Sequence, residues 1–351
     1  MIFFANKWGD CEKMMELIRK YDVLIYFGFF RKLDNRNLRK VLYILLSPVL
    51  LVYGLLCFIY ENTIDRIFVS RELNTFISKK YKYDLAFVAC VLNESRYILE
   101  WIEYHRLVGV DKFYIFDNGS TDNTKELLQK YIDEGIVELE YFPGKGKQLD
   151  MYYKGLKKCR RDAKYVGFID LDEFVVPTDS SKSLVDVLDE RFSHFKNMAV
   201  LSINWLVFGS SGHKKRPEGL VIENYLNRAE YDSTTNRLLK FIANPRLIKG
   251  CITSPHFAYL RNNSLKQLNE KGIEIDSPWN DYPNNTYDLI RINHYYGKSE
   301  EDCKAKFNRG NVSRPDYIKR KWDQFVLYDR NEVHDDRMLV YRDRIKKSLE
   351  G

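Results

Sequence analysis

From residue 84 onward the chain alternates between short, continuously apolar runs and longer stretches with apolar residues at helical spacing. Leu85-Ala86-Phe87-Val88-Ala89-Cys90-Val91-Leu92 has strand length and no polar residue, the pattern of a strand buried on both faces. Asn93-Glu94-Ser95 then opens a helix. Its apolar stripe is Ile98, Ile102 and Leu107, with Trp101 and His105 beside it, and Gly109 ends it. Residues 112–116 read as a second strand, 124–134 as a second helix stopped by Gly135, and 136–142 as a third strand. A basic loop, Gly144-Lys145-Gly146-Lys147, precedes a helix over 148–160, and Tyr165-Val166-Gly167-Phe168-Ile169 is the fourth strand. Alternation of this kind predicts an α/β fold, a mostly parallel sheet flanked by helices. Loops at the carboxyl ends of such strands would gather Asn93, Asp117, Lys147 and Asp170 along one edge, where open α/β sheets bind ligands.

The pattern is different before residue 61. Residues 41–60 carry no charge, include Pro48 and Gly54, and are punctuated by Tyr43, Tyr53 and Tyr60. Such a stretch is about as long as a bilayer core is thick, and Pro and Gly are tolerated in membrane helices more than in soluble ones. A basic cluster, Arg31, Lys32, Arg36, Arg39 and Lys40, lies upstream. The run starts too late for a cleaved signal peptide, and no small-residue cleavage site follows it. A single span, a re-entrant or interfacial hairpin and a buried helix compete, with the membrane readings favoured. The organisation expected is a membrane-associated helical region over 1–80, a catalytic domain over 81–315 and a helical, charged extension over 316–351. The catalytic domain divides into 84–175 and 198–300.

Composition changes this picture little. The 351 residues suffice for a large core, and the net charge of +7 is spread along the chain, which suits anionic small molecules or acidic headgroups. No nucleic-acid motif is present. The 25 Tyr and 21 Phe fit a tyrosine-rich core and rim. Cys11, Cys57, Cys90, Cys159, Cys251 and Cys303 form no CxxC pair and read as free thiols.

The chemistry concentrates at Asp170-Leu171-Asp172, directly after the fourth strand. In an extended segment two such carboxylates face the same way. They repel unless a cation or proton lies between them, and hard divalent cations prefer oxygen ligands. The plain alternative is a strand-end cap.

The ordered segments resemble a family. Val91-Leu92-Asn93-Glu94, Phe116-Asp117-Asn118-Gly119-Ser120-Thr121-Asp122 and Asp170-Leu171-Asp172 stand in the order of the nucleotide-sugar half of a GT-A (Rossmann-like) glycosyltransferase. Trp205 to His213, Gly219-Leu220-Val221-Ile222-Glu223, Lys240 with Asn244-Pro245, and Asn293-His294-Tyr295-Tyr296-Gly297-Lys298-Ser299 resemble glycosyltransferase family 92. The resemblance covers roughly residues 84–315. It implies Mn²⁺ or Mg²⁺, a UDP-sugar donor, a glycan or lipid-linked glycan acceptor, and transfer with inversion, galactose being one sugar associated with the family.

The resemblance also implies roles. Asp172 would ligate the metal directly, Asp170 would bind metal or ribose, and His294 would complete the metal site. Lys298 would reach the diphosphate, with Lys306 and Arg309 as weaker candidates. Asp117, Asn93 and Glu94 would read uracil or ribose, and Lys147 and Gln148 would contact nucleotide or diphosphate. For the acceptor-side base the candidates are Glu223 and His213, then Glu218 and Asp276. Trp205 and the loop Gly209-Ser210-Ser211-Gly212 would form an acceptor platform or, for the indole, core. Each lone side chain also has a structural reading: a core histidine, a solvated lysine, a turn aspartate.

Three rivals remain. A haloacid-dehalogenase-type phosphohydrolase also uses Asp-x-Asp after a strand, but Phe174 stands where Thr or Val is usual and three βα units come first. A nicotinamide dehydrogenase lacks its GxGxxG. A catalytically inactive membrane-bound sugar-nucleotide binding protein would not need every charged site residue. The sequons Asn93-Glu94-Ser95 and Asn118-Gly119-Ser120 fall inside the expected nucleotide site, where a glycan would block it. This favours a cytosolic face, as in a bacterial inner-membrane enzyme of surface polysaccharide synthesis. A single-pass Golgi enzyme with a lumenal catalytic domain is the alternative.

Overall fold

The computed structural model describes residues 63–251, 255–309 and 322–350, together with Val52, Leu56 and Ile59. It falls into two compact units, residues 1–71 and 72–351. The expected membrane segment at 41–60 lies outside the described residues save for Val52, Leu56 and Ile59, which are helical and exposed. Among the described residues no helix is long and apolar enough to cross a membrane.

After α1 (Ile64–Thr75), the expected alternation is present. It runs β1 (Tyr83–Val91), α2 (Ile98–Leu107), β2 (Lys112–Asp117), α3 (Thr124–Asp133), β3 (Val137–Tyr141), α4 (Gln148–Asp162) and β4 (Ala163–Phe168). β1 pairs in parallel with β2 and β4, and β2 with β3. β1, β2 and β4 are buried almost throughout, as their unbroken apolar runs require, whereas β3 at the edge is half exposed. α4 presses closely on β1: a Cβ on Gly155 would stand 2.5 Å from Val88 Cγ1, so only glycine fits at the crossing.

Beyond β4 the alternation breaks, in a way the apolar pattern did not predict. The elements are β5 (Glu173–Pro177), α5 (Leu184–His194), β6 (Met198–Val207), α6 (Val221–Asn224), β7 (Asn227–Arg228), β8 (Leu239–Ala243), β9 (Ile248–Cys251), β10 (Ala258–Leu260), β11 (Lys266–Leu268) and β12 (Ile290–His294). α7 (Glu300–Arg309), α8 (Trp322–Tyr328), β13 (Val333–His334) and α9 (Arg342–Glu350) follow. Among the described residues one mixed sheet has the order β3-β2-β1-β4-β8-β6-β12-β5, with β11 also on β6. β8 and β5 run against the other strands. The carboxyl ends of β1, β2, β4, β6 and β12 therefore meet at one edge, together with the amino ends of β8 and β5.

The core lies on both sides of this sheet. His105 sits wholly inside it, donating from Nδ1 to Trp101 O (2.8 Å) and accepting at Nε2 from Val175 N (3.1 Å). Burial lowers its pKa to about 3, so the ring is neutral and structural. Asn244 donates to Glu72 (3.0 Å), which also pairs with Arg246, while Arg246 donates to Ala163 O (2.8 Å). The Asn244-Pro245 segment is thus a brace between Glu72 and the start of β4. Cys159 and Cys303 are buried, and Cys90 and Cys251 partly so.

The last segment belongs to the same core, to which Met338, Tyr341 and Ile345 contribute. Asp335 accepts both guanidinium nitrogens of the buried Arg291 (2.8 and 2.9 Å) and Arg228 Nε (2.8 Å). Burial opposes the charge on Asp335, but the two guanidinium groups outweigh it and hold its carboxyl well below the usual range. A depressed carboxyl contributes stability above its unfolded pKa, and this is lost as pH falls through the folded value. Asp335→Asn is therefore expected to lower the melting temperature at pH 7 and to flatten the loss of stability on acidification below about pH 4. Thermal unfolding across pH 2–7 checks this; parallel acid limbs in the two proteins would contradict it.

Candidate functional site

Three loops at the carboxyl edge are stitched into one surface. The Asn93 backbone, held at φ 53°, donates to Ser120 Oγ (2.9 Å), and Asn93 Oδ1 accepts from Thr121 N (2.7 Å). Glu94 N donates to Thr124 Oγ1 (3.0 Å) and Ser95 N to Asp122 (3.0 Å), tying the β1–α2 and β2–α3 loops together. Asn118 Nδ2 reaches Phe142 O (3.1 Å) and Gly144 O (2.8 Å), joining the third loop. Asp117, buried at the end of β2, accepts from Gly119 N (3.1 Å) and Ser120 N (2.8 Å), forming an Asx turn. So the structure brings Asn93, Glu94 and Asp117 to neighbouring loops. Lys147, largely exposed, pairs with Asp150 (3.1 Å), and Gln148 donates to Tyr152 OH (3.1 Å), which donates to Asp170 Oδ1 (2.9 Å).

Asp170 and Asp172 do not stand in one extended segment, and their carboxylates take different partners. β4 ends at Phe168 and the chain turns at Leu171-Asp172 before β5 begins. Asp170 turns to Lys240 of β8 (2.8 Å) and to Tyr152. Lys240 is fully buried and also lies 3.3 Å from Glu173 Oε2, which accepts from Asp170 N (3.0 Å). Burial opposes charge on Asp170, yet the Lys240 ammonium prevails and its carboxyl stays below the usual range. Glu173, equally buried, is pushed up to about 8 by desolvation against the pull of Lys240. Near neutral pH one ammonium thus balances one carboxylate, with Glu173 carrying the proton.

Asp172 faces the other strand. Tyr295 N donates to Asp172 O (2.8 Å), extending the β5–β12 ladder and setting His294 Nε2 3.6 Å from Asp172 Oδ2. Lys306 of α7 donates to the same Oδ2 and to Tyr296 O (2.8 Å). Burial opposes ionisation of Asp172, but Lys306 and then His294 outweigh it and hold the carboxyl far below its usual range. His294 is itself lowered by burial and is neutral. Its ring lies 3.9 Å from that of Trp205, and its buried Nδ1 has no hydrogen-bond partner. Trp205 is therefore buried beneath His294 rather than presented to an acceptor.

Asp172 and His294 suit a hard divalent cation, since Asp172 Oδ2 and His294 Nε2 already converge. Asp170 fits such an ion less well, being engaged by Lys240 and Tyr152. Among the described residues no group of three His, Cys, Asp or Glu side chains encloses an ion site. Lys298, at φ 52°, holds its ammonium 4.5 Å from the Tyr97 ring centre and acts electrostatically on Asp172. Asp302 anchors this segment, accepting from Tyr97 OH (2.6 Å), Ser299 Oγ (2.6 Å) and Arg216 Nε (2.5 Å).

The base candidates are held elsewhere. Glu223 accepts from Leu220 N (2.9 Å) and pairs with Lys346 (2.7 Å). His213 Nε2 bonds Asn224 O (3.1 Å). Glu218 and Asp276 are exposed. The loop Gly209-Ser210-Ser211-Gly212 is pinned from behind by Asp329 and Asn331. The side chain of Arg309 lies outside those described. Sequence reasoning gave no role to Tyr152, Glu173, Lys240 or His256. For Lys240 a signal existed: a lysine inside the apolar run Leu239-Lys240-Phe241-Ile242-Ala243 must find a buried counter-charge. For His256, after Ser254-Pro255, there was none.

The family model for glycosyltransferase family 92 matches residues 86–347. A family 92 protein of Ricinus communis is 27% identical over 229 residues, covering 65% of this chain and 38% of that protein. One of Oryza sativa subsp. japonica is 28% identical over 218 residues, covering 62% and 34%. The chain thus spans little more than a third of the length of these curated relatives. Among solved structures, S. aureus TarS 1–349 in complex with UDP aligns at TM-score 0.32 and 16% identity, over 47% of each chain. Glucosyl-3-phosphoglycerate synthase of Mycobacterium tuberculosis with Mn²⁺, UDP and glucosyl-3-phosphoglycerate aligns at TM-score 0.27 and 23% identity, over 38% of this chain and 47% of that one. With three quarters of its length matched by the family model, the chain belongs to glycosyltransferase family 92.

Proposed function

We propose that this chain is a GT-A-type glycosyltransferase that moves a sugar, galactose being one candidate, from a UDP-sugar to a glycan or glycolipid acceptor with inversion. The observation that carries the reading is the convergence of Asp172, His294 and Lys306 at the strand-end edge, with Lys298 acting on the same carboxylate. As the bond to the diphosphate breaks, negative charge builds on the leaving group. Fixed cations at that point stabilise the change in charge rather than the bound substrate. Asp172 and His294 would hold Mn²⁺ or Mg²⁺, which supplies further charge to the diphosphate. Asp117 and the Asn93-Glu94 turn lie on the stitched loops that would receive the nucleoside.

The enzyme is further proposed to work at a membrane, on its cytosolic side, in surface polysaccharide or glycoconjugate synthesis. Val52, Leu56 and Ile59 are exposed at helical spacing, and Ile64, Ile67 and Phe68 of α1 are exposed too, which supports an interfacial role.

The test is UDP release from a panel of UDP-galactose, UDP-glucose and UDP-N-acetylglucosamine by the full chain. Release is expected to need Mn²⁺ or Mg²⁺ and to stop on adding EDTA. Hydrolysis of p-nitrophenyl phosphate without turnover of any UDP-sugar would sink the reading in favour of a phosphohydrolase.

A further inference from the structure

The ladder between β4 and β8 ends at Gly167 opposite Ile242. Continuing the same register sets Leu239 level with Asp170, where β4 has already turned away. The backbone of Leu239 faces the gap this leaves, and other groups take it up: its N–H donates to Pro278 O (3.2 Å) and its carbonyl receives His256 Nδ1 (2.7 Å). His256 therefore occupies the opening beside Asp170. Its ring stands edge-on to Trp205 at 5.3 Å, and the Trp205 ring packs, tilted, against that of His294. The charges and titrating groups acting on it are Lys240, Asp170 and His294, the groups of the site just described.

Because the Leu239 carbonyl takes the Nδ1 proton, Nε2 carries the lone pair. Burial, and then Lys240, lower its pKa, so the ring is neutral and Nε2 unprotonated at physiological pH. The other described histidines do not compete for this role. His105 is sealed in the core, His213 is bonded to Asn224 O, His294 is turned to Asp172, His194 packs edge-on against Phe195, and His334 is bonded to Asn227. On the other backbone group of Leu239 hangs the loop of Pro278, whose next residue, Trp279, leaves its indole half exposed. Leu238 bridges to Trp279 and Asn280 N donates to Arg237 O (2.7 Å), which fixes the backbone carrying this indole beside β8, and the Arg237 guanidinium lies 5.7 Å from the ring centre. A half-exposed ring on a held backbone is suited to the apolar face of a sugar.

We infer that the opening at Leu239 is the acceptor site, with His256 Nε2 as general base and Trp279 as the ring on which the acceptor lies. This rests on the transferase reading above. Nε2 takes the proton of the acceptor hydroxyl as its oxygen bonds to the anomeric carbon. The bond from that carbon to the diphosphate oxygen breaks on the opposite face, and its electron pair leaves with the nucleoside diphosphate. The imidazolium then returns its proton to water.

The test uses the full chain with the UDP-sugar it turns over best and p-nitrophenyl β-galactoside as acceptor probe. His256→Ala is expected to lower kcat by about 10²- to 10⁴-fold, with UDP binding, read from thermal stabilisation, unchanged. Added imidazole should restore part of the rate, which a structural role would not allow. Trp279→Ala should raise KM for the acceptor probe. A His256→Ala rate within threefold of wild type, or a loss that imidazole does not relieve, overturns the assignment while wild-type transfer still stands. Absence of turnover by the wild type would instead overturn the transferase reading.

Discussion

Asp172→Asn is expected to lower turnover of the UDP-sugar about a thousand-fold, with the protein still folded. The substitution keeps the shape of the side chain and removes its charge. Lys306 and His294 then lose the carboxylate that holds them together, and the one oxygen ligand already aligned with His294 becomes a weak, neutral one. Charge stabilisation of a leaving diphosphate is worth several kcal/mol, and about 4 kcal/mol corresponds to that factor at tenfold per 1.4 kcal/mol. Folding should survive, because Asp172 lies in a turn and Lys306 keeps its bond to Tyr296 O. Initial rates of UDP release with thermal unfolding of both proteins make the measurement. A variant within tenfold of wild type would show that Asp172 is a strand-end cap after all.

β1, β2 and β4 were legible because each is central, and a strand buried on both faces writes itself as an unbroken apolar run, whereas the edge strand β3 was read from the alternation around it. The stretch from β5 to β12 was not. β8 is five residues long and finds its place only through antiparallel pairing with β4 and β6, which no local pattern encodes. The same limit governed the site. Asp170 and Asp172 were visible, yet their division between Lys240 and His294 depends on a turn after Phe168 and on partners 70 and 122 residues away in sequence. The base was the hardest to read, because a glutamate in a family-like segment looks the same in sequence whether it takes protons or caps a helix. Glu223 caps α6 and pairs with Lys346, whereas His256 sits on the edge that β4 vacates. What had no sequence signal was a backbone carbonyl fixing a tautomer.

Lys240→Met is expected to be the most destabilising single change near the site, at about 3–5 kcal/mol, since it removes one partner of a buried ionic group and strands the rest. Lys240 and Glu173 are both 0% exposed, and the ammonium is the cation facing both Asp170 and Glu173. Methionine matches the stem of lysine, so the loss is one of charge rather than volume. Without the ammonium both carboxyls are driven to hold protons, and Glu173 is already at about 8 with the lysine in place. A carboxyl whose folded pKa lies above its unfolded value contributes stability below the unfolded pKa and loses it as pH rises through the folded one. The deficit of the variant should therefore be smaller at pH 5 than at pH 8, the reverse of what the depressed carboxyl of Asp335 imposes. Urea unfolding at both pH values measures it. Adding Glu173→Gln should recover part of the loss, because the amide can still accept from Asp170 N without a proton to take up. A deficit under about 1 kcal/mol, or one independent of pH, would mean that water already reaches the cluster and that Lys240 faces the diphosphate rather than holding the floor of the site.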